Sequence, residues 1–501
     1  MKSPVSRVAR LLMLLLMLAL AGSQPAAAQD DSGPQVLRDT ETELLFRDMS
    51  LPLIQAAGLD PNSVKVVLLN DPEINAFVSQ GQTVYVQSGL IQAAGLDPNS
   101  VKVVLLNDPI INAFVSQGQT VYVQSGLIEA ADNVNQVQGV VAHELGHVIA
   151  GDSIRSGQGE THATGISILS LVLGVAAIAA GAGDAGMGIM MAGQRAAIGD
   201  ILAFTRAQES TADATGSRLL SKAGVSGKGL LDFFKKLQNE EYRLAVYDKD
   251  SFDRDHPINS ERIEALQQKL TADPAWNKSP DPNLEARFER VKAKLLGFVD
   301  PKQAVLRYPE TDQSVPAHYA RAYAYHLGAY PDKAEAEADA LLAIDPHDPF
   351  FLELKGQMLL EDGRPKEALA PLREATQRSG EAPMIAAMLG HALVETNDSK
   401  NFQEAKQILK VAVSRDNEDP FAWYQLGIIY DHEGDLARAA LATAERSNLQ
   451  DDPKMALASA QMAMKGIQPG TPDYLRAQDI AMVSRAELAK KDKRYRKDGN
   501  E

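Results

Sequence analysis

The sequence predicts an α+β domain in the N-terminal half of the chain, followed by an all-α array of paired helices. Strand and helix patterns occupy the part before residue 272, whereas small residues recur at helix-pair spacing after residue 310. The chain has 501 residues and no cysteine, which excludes disulfides, thiolate metal ligands and a cysteine nucleophile. Its net charge of −16 argues against nucleic acid as a partner, because phosphate groups are bound by basic surfaces.

The N-terminus has the pattern of a secretory signal. Lys2, Arg7 and Arg10 precede an apolar run, Leu11–Leu20, and small residues follow as far as Ala28. This order of basic, apolar and small residues predicts that residues 1–28 form a cleavable signal peptide. The mature chain is then exported, to the periplasm in a Gram-negative source. An uncleaved membrane anchor is the alternative.

A tandem duplication follows. Residues 53–89 and 90–126 are the same 37-residue unit, and the copies differ only at Glu73 and Ile110. Each copy predicts a strand, a turn at Asp-Pro and a hairpin. We expect only one copy to lie in the sheet of the domain, and we favour the second because it runs directly into the next helix. The other copy adds a strand, loops out or strains the fold.

The sequence His143-Glu144-Leu145-Gly146-His147 is an HExxH motif. On a helix, residues four apart lie on one face, so both imidazoles can bind one metal ion, while Glu144 lies about 100° away around the helix. The motif therefore predicts that His143 and His147 bind zinc and that Glu144 is the catalytic base. Two buried histidines without a metal are the alternative interpretation.

A catalytic zinc ion needs a third protein ligand and one open coordination position. Glu209 and Asp213 are four residues apart and so share a helix face. Glu209 fits the third ligand position. Asp213 fits a carboxylate that orients a ligand histidine through its other ring nitrogen. We expect one zinc ion per chain.

HExxH followed some 60 residues later by ExxxD resembles the gluzincin metalloproteases of the HtpX and CAAX prenyl endopeptidase family. The resemblance covers residues 40–270 and implies an α+β zincin-like metalloprotease domain. Asn112-Ala113-Phe114 is similar to the Asn-Ala-Phe strand of that family. It implies that this segment is an edge strand, with which an extended substrate can pair.

His256-Pro257, with Arg262 five residues after the proline, resembles a His-Pro…Arg element of the same family. The resemblance implies that His256 stabilises the transition state or occupies the open zinc position in a resting state. A loop histidine without such a role is an equal alternative. For Arg262 we expect a structural salt bridge.

An apolar stretch lies between the two halves of the predicted metal site. Residues 163–183 carry no charge and are rich in glycine, alanine, serine and threonine. We expect an apolar helical segment over residues 163–193 that forms a hairpin, which covers the cleft or touches a membrane surface. The length alone also allows a membrane-spanning helix.

The C-terminal part has the spacing of tetratricopeptide repeats. Ala322, Gly356, Gly390 and Gly427 recur at separations of 34, 34 and 37 residues. Small residues at this spacing let paired helices approach closely, and stacked pairs form a concave surface for a protein partner. The predicted organisation is a zinc metallopeptidase domain at 29–272, a connector at 273–310, a tetratricopeptide repeat domain at 311–489 and a basic tail at 490–501.

Exported members with such an array resemble the BepA-type proteases, which implies a role in outer-membrane protein assembly. The first hypothesis is thus a periplasmic zinc endopeptidase that hydrolyses unfolded or misassembled envelope proteins recruited by the array. The second is a chaperone-like adaptor with latent or weak proteolysis, and the third is an inactive product of the duplication. Contact with a membrane surface is expected as an additional interaction, and membrane association stays open.

Overall fold

The computed structural model describes residues 35–36, 38–58, 65–70, 102–107, 113–116, 120–150, 166–175, 177, 183–244 and 259–498. The predicted signal peptide 1–28, the side chain of Asn112 and that of His256 lie outside these residues. Within them the chain is mostly helical, and a small sheet adjoins the N-terminal helices.

The sheet has five strands among the described residues. They are β1 (Gln35–Val36), β2 (Lys65–Asn70), β3 (Lys102–Asn107), β4 (Ala113–Ser116) and β5 (Thr120–Gln124). Their order is β1-β2-β3-β5-β4. β2 and β5 are both parallel to β3, whereas β4 is antiparallel to β5, so β4 forms one edge of the sheet.

The two copies of the duplicated unit both contribute to this sheet. β2 comes from the first copy and β3 from the second, and they pair in matching register, with Lys65 opposite Lys102 and Asn70 opposite Asn107. The expectation that only one copy enters the sheet is therefore wrong. Identical segments have the same strand propensity, and a parallel pair lets them align residue for residue. The described hairpin β4–β5 belongs to the second copy.

The N-terminal helices pack around one central helix. They are α1 (Thr40–Ala57), α2 (Ser125–Ala130), α3 (Val134–Ala150), α4 (residues 166–175), α5 (Gly183–Ala223), α6 (Lys228–Leu244) and α7 (Ser260–Thr271). Every residue of α3 from Val134 to Val148 is buried, and α3 contacts α1, α5 and α6. Because other helices surround α3, the side chains of the HExxH motif lie in the interior of this part of the protein.

The apolar segment between the two motifs is a helical hairpin in its described part. α4 lies against the N-terminal part of α5, where a Cβ atom on Gly174 would come 2.8 Å from the carbonyl oxygen of Gly186. Among the described residues, no helix combines the length and the apolar character needed to cross a membrane.

The C-terminal helices form the predicted array of pairs. After α8 (Pro282–Val299) and α9 (Pro301–Arg307) they are α10 (Val315–Leu327), α11 (Pro331–Ile344), α12 (Pro349–Glu361), α13 (Pro365–Arg378), α14 (Pro383–Glu395), α15 (Ser399–Arg415), α16 (Pro420–His432), α17 (Leu436–Leu449), α18 (Pro453–Gly466) and α19 (Pro472–Asp498). Gly356 and Gly390 face leucine side chains of the paired helix, at positions where a Cβ atom would come within 2.4 and 2.5 Å of a leucine Cγ atom. The small residues thus permit the close approach that their spacing predicted.

The two regions that the sequence predicted to be a connector and a tail are largely helical. The residues expected to form the connector contain α8 and α9, and α8 buries Phe288, Val291 and Leu295 in the same core as α3. α19 continues to Asp498, through most of the residues expected to form the basic tail.

Ion pairs join the N-terminal helices to the array. Arg290 on α8 contacts Glu41 on α1 at 2.7 Å and Asp348, the residue that caps α12, at 2.8 Å. Arg38, just before α1, contacts Asp416 after α15 at 2.8 Å. The Glu41 carboxylate is 1% exposed. Because an unpaired buried charge is unfavourable, the ion pair with Arg290 is needed to offset its burial.

Candidate metal centre

The two histidines of the HExxH motif lie on one face of α3. His143 and His147 are buried, and their Nε2 atoms are 3.2 Å apart. Phe234 on α6 packs edge-on against His143, with ring centroids 5.5 Å apart. The histidines thus project from the middle of a fully packed helix, which holds their rings in place.

Glycines allow α3 and α5 to cross at very short range. A Cβ atom on Gly146 would lie 2.6 Å from the carbonyl oxygen of Ala212, and one on Gly216 would lie 2.9 Å from that of Ala142. Since the obstructing atoms are backbone atoms, only glycine fits at these two positions. The crossing places Glu209 of α5 next to the two histidines.

Three ligand groups converge as a result. Glu209 Oε2 lies 3.4 Å from His143 Nε2, and Glu209 Oε1 lies 3.5 Å from His147 Nε2. Ligands placed 2.0–2.1 Å from a tetrahedral zinc ion are about 3.3 Å apart. The separations among His143, His147 and Glu209 match that value, and all three side chains are buried. The donor set and its spacing therefore fit a zinc ion with one coordination position left for water or substrate.

Asp213 and Arg262 support this group from behind. Asp213 Oδ1 lies 3.0 Å from His143 Nδ1, the ring nitrogen that points away from His147. Arg262 donates two hydrogen bonds to Asp213, at 2.8 and 2.9 Å, and its Nη1 lies 2.9 Å from Glu209 Oε2. Asn259 caps α7 by accepting a hydrogen bond from the backbone N–H of Arg262, so the start of α7 positions the guanidinium.

The electrostatics of the site favour a positive charge between the carboxylates. Burial by itself would lower the pKa of His143, but hydrogen bonds to Asp213 and Glu209 outweigh it and raise the pKa to about 10. Burial would raise the pKa of Asp213, yet His143 and Arg262 hold it below its ordinary value. A proton on His143 Nε2 faces Glu209, which is the position in which a metal cation would lie between these two groups, while Asp213 accepts from Nδ1 on the other side of the ring.

Glu144 follows His143 on α3 and is fully buried. Its carboxylate is therefore buried in the protein interior, as the side chains of His143, His147 and Glu209 are. A carboxylate in such a place can hold or release a proton next to a reacting group.

The structure brings together most of the residues that the sequence singled out. His143, His147, Glu209 and Asp213 form one cluster, and Arg262 makes the expected salt bridges. Ala113 and Phe114 lie in the edge strand β4.

Sequence reasoning missed Phe234, Gly146 and Gly216 as parts of the site. The glycine inside the HExxH motif was a signal of close helix contact, whereas nothing local distinguishes Phe234 from other core residues.

Comparison with known proteins identifies the matching family. Residues 91–270 match the model of peptidase family M48. The match begins in the second copy of the duplicated unit and leaves the first copy outside it.

The chain is also similar to two curated bacterial proteases. It is 22% identical over 276 residues to the beta-barrel assembly-enhancing protease of Yersinia pestis, covering 53% of this chain and 54% of that protein. It is 32% identical over 145 residues to the metalloprotease LoiP of Escherichia coli strain K12, covering 28% of this chain and 51% of that protein. The chain spans about half the length of the curated relatives it matches.

Among solved structures, the chain is similar to YrrB, a TPR protein with an unusual peptide-binding site. The sequence identity is 19% and the TM-score 0.29, and the similarity covers 35% of this chain and 92% of that protein.

Proposed function

We propose, on the premise that residues 91–270 match the model of peptidase family M48, that the chain is an exported zinc-dependent endopeptidase that hydrolyses unfolded or misassembled envelope proteins. One observation carries the proposal. His143, His147 and Glu209 converge at separations of 3.2, 3.4 and 3.5 Å, which are those of a tetrahedral zinc site.

The roles of the residues follow from their positions. His143, His147 and Glu209 hold the metal, which when bound supplies a Lewis acid that polarises the scissile carbonyl and lowers the pKa of water to near neutrality. Glu144 accepts a proton from the attacking water and delivers it to the leaving amine. Asp213 fixes the His143 ring so that Nε2 faces the metal position.

Arg262 positions this network. With two hydrogen bonds to Asp213 and one ion pair to Glu209, it holds both carboxylates in orientations that suit His143 and the metal. His256 lies outside the described residues, and we keep it as a proposed contributor to transition-state stabilisation or to a resting state.

Substrate binding is proposed at the sheet edge of an α+β peptidase domain. Among the strands that the structure describes, β4 pairs only with β5, and an extended polypeptide can add to its other side through backbone hydrogen bonds. Asn112, Ala113 and Phe114 are the proposed contact segment. The helix pairs α10–α19 are proposed to recruit the polypeptide. One relative is named a beta-barrel assembly-enhancing protease. This name supports the proposal that the chain acts on outer-membrane protein assembly in the periplasm.

The test compares the chain lacking residues 1–28 with its Glu144→Gln variant, both loaded with zinc, on an unfolded protein substrate. We expect about one zinc per chain in each protein and cleavage that falls by about 100-fold or more in the variant, because proton transfer is lost while the metal ligands stay intact. Glu264→Gln, an exposed change on α7, is the matched control and should cleave like the wild type.

Absence of cleavage by the zinc-loaded wild type would contradict the proposal and favour the adaptor hypothesis. Equal cleavage by wild type and Glu144→Gln would contradict the role of Glu144.

A further inference from the structure

The hairpin of α4 and the first part of α5 exposes an unusual amount of apolar surface. We call residues 166–175 and 183–202 the apolar hairpin. Its exposed large apolar side chains, between 37% and 60% accessible, are Ile168, Leu169, Leu171, Val172, Leu173, Val175, Met187, Ile189, Met191, Ile198 and Leu202. So many exposed large apolar side chains on two packed helices are unusual for a protein surrounded by water and indicate an interaction site.

The packing of the apolar hairpin is the reverse of that in a water-soluble helix pair. Ser170 and Gly174 are the buried residues of α4, and they face Gly186, Met190 and Gly193 of α5. Small residues thus form the contact between the helices, while leucine, isoleucine and valine point outward. Helices in water bury their large apolar side chains in the contact instead. Small residues at the contact and large ones outside are typical of helices packed in lipid.

The exposed positions exclude a partner that covers one side only. Leu171, Val172 and Leu173 are consecutive on α4 and each is more than half exposed, so they cover about 200° of the helix circumference. A protein partner would leave part of this circumference in water, and its interface would have a polar rim. Acyl chains surround a helix and satisfy all these side chains together.

Charged and apolar side chains share the side of α5 that lies away from α4. Asp184, Arg195 and Arg206 follow one another at intervals of 11 residues, about three helical turns, and therefore lie along one side of α5. Met190 and Gly193, which face α4, lie on roughly the opposite side. α4 and the charged row are thus on opposite sides of α5. Since Met187, Met191 and Leu202 are exposed on the same side as these charges, α5 fits the headgroup level of a bilayer surface, where charged and apolar side chains are both accommodated. The described residues of α4 carry no charge, so α4 fits the acyl chains below.

We propose that the apolar hairpin binds a lipid bilayer by lying in its interface, with α4 among the acyl chains of one leaflet. Asp184, Arg195 and Asp200 leave the hairpin with a net charge of −1, so nothing in it selects anionic lipid. With a net charge of −16 on the whole chain, an anionic surface should repel it. Zwitterionic lipid is therefore the expected partner.

This binding has a consequence for substrate choice, which rests on the proposed peptidase function. α5 continues from Met190 to Glu209, 19 residues or about 28 Å along the same helix. A hairpin lying in the interface would hold the metal ligands close to the bilayer surface. The accessible substrates would then be polypeptides that lie on or emerge from a membrane.

The absence of cysteine allows a direct test, since one introduced cysteine carries a single label. An environment-sensitive fluorophore is placed at Leu169→Cys or, as the matched control, at Leu306→Cys, a position on α9 that is 77% exposed. The protein lacks residues 1–28, so the apolar run Leu11–Leu20 cannot bind lipid. With phosphatidylcholine vesicles, the emission at position 169 should shift to the blue and be quenched by a quencher on the lipid chains. The emission at position 306 should not change.

Sedimentation with the same vesicles gives a second measurement without a label. Leu169→Glu combined with Val172→Glu should reduce vesicle binding by about tenfold or more, while Leu306→Glu leaves it unchanged. Both substituted positions are exposed, and unchanged zinc content and circular dichroism verify folding. Vesicles that also contain phosphatidylglycerol should bind less protein.

The proposal is overturned if position 169 stays in a water-like environment with vesicles, or if position 306 responds equally. Sedimentation velocity without lipid identifies the remaining occupant. If vesicles are not bound and a dimer is lost in the Leu169→Glu, Val172→Glu variant, the hairpin is covered by a second copy of the chain. Vesicle binding does not depend on catalysis, so Glu144→Gln should bind like the wild type even if the peptidase proposal fails.

Discussion

The two ends of α5 place opposite kinds of side chain in opposite environments. From Gly183 to Leu202 the helix presents large apolar side chains to the outside, whereas from Glu209 to Ala223 it buries carboxylates and hydroxyls beside the core. Glu209 and Asp213 are 3% and 6% exposed, but Met191 is 53% exposed. Hydrophobicity along the helix therefore does not decide which residues are buried.

What each end packs against explains the difference. The C-terminal part crosses α3, and Arg262 and His143 compensate its buried charges. The N-terminal part contacts α4 through Gly186, Met190 and Gly193, and most of its other large apolar side chains are left outside. A buried charge thus requires neighbouring groups of opposite charge or hydrogen-bonding groups. A group of exposed large apolar side chains instead indicates a surface that binds another molecule.

The largest expected effect comes from closing the contact between α3 and α5. In Gly146→Val the new side chain meets the backbone of Ala212 at 2.6 Å, and a helix backbone cannot step aside locally. We expect Glu209 to move away from the histidines, loss of stoichiometric zinc and destabilisation of about 3 kcal/mol. Zinc content after dialysis and urea unfolding measure both.

The matched control is Gly188→Val in the exposed end of α5, where nothing lies within 4 Å of the added Cβ atom. It should retain zinc and change the free energy of unfolding by less than about 0.5 kcal/mol. Full zinc binding by Gly146→Val would show that the crossing does not position the ligands.

The second expectation concerns pH and is confined to the metal-binding end. The pKa of His143 is raised to about 10, so below that pH the imidazole carries a proton that zinc must displace. Each zinc ion bound then releases this proton, and the apparent zinc affinity should rise by about tenfold per pH unit from pH 7 to pH 9. Competition with a chelator of known protonation constants measures the slope. A flat profile would mean that His143 is neutral before zinc binds.

The sequence predicted those parts of the site that depend on one helix or on ligand chemistry. The intervals His143–His147 and Glu209–Asp213 each fix a shared helix face, and zinc chemistry connects the two. The contacts of Arg262 with Asp213, 49 residues away, depend on how α7 packs, and no local periodicity encodes that.

The pairing of the duplicated strands was equally out of reach. Residues 65–70 and 102–107 have one sequence, so each supports the same strand, and only the assembled sheet shows that β3 lies between β2 and β5. The spacing of the helix pairs was predictable because it repeats, and the structure has these pairs at the expected places.

The third prediction compares the removal of a buried carboxylate at one end of α5 with the removal of an exposed carboxylate at the other end. Asp213→Asn keeps the shape of the side chain but removes the negative charge that orients His143 and balances Arg262. Zinc affinity should fall by about 10- to 100-fold, and the pH slope should flatten because the pKa of His143 drops. Asp184→Asn, an exposed change at the other end, is the control and should alter neither. An unchanged affinity in Asp213→Asn would show that Asp213 does not orient the ligand.

The smallest expected effect is on the free energy of unfolding, and it tests whether the N-terminal part of α5 contacts another protein molecule. A Cβ atom on Gly199 meets nothing within 4 Å, so Gly199→Ala should only reduce the backbone freedom of the unfolded chain. We expect stabilisation by about 0.5–1 kcal/mol, measured by urea unfolding at several protein concentrations. Gly216→Ala, on the same helix but 2.9 Å from the carbonyl oxygen of Ala142, should destabilise instead. If Gly199→Ala also destabilises, and more so at high protein concentration, a second copy packs on this end of α5. The difference between the two ends would then be one of assembly, with lipid excluded as the partner of this surface.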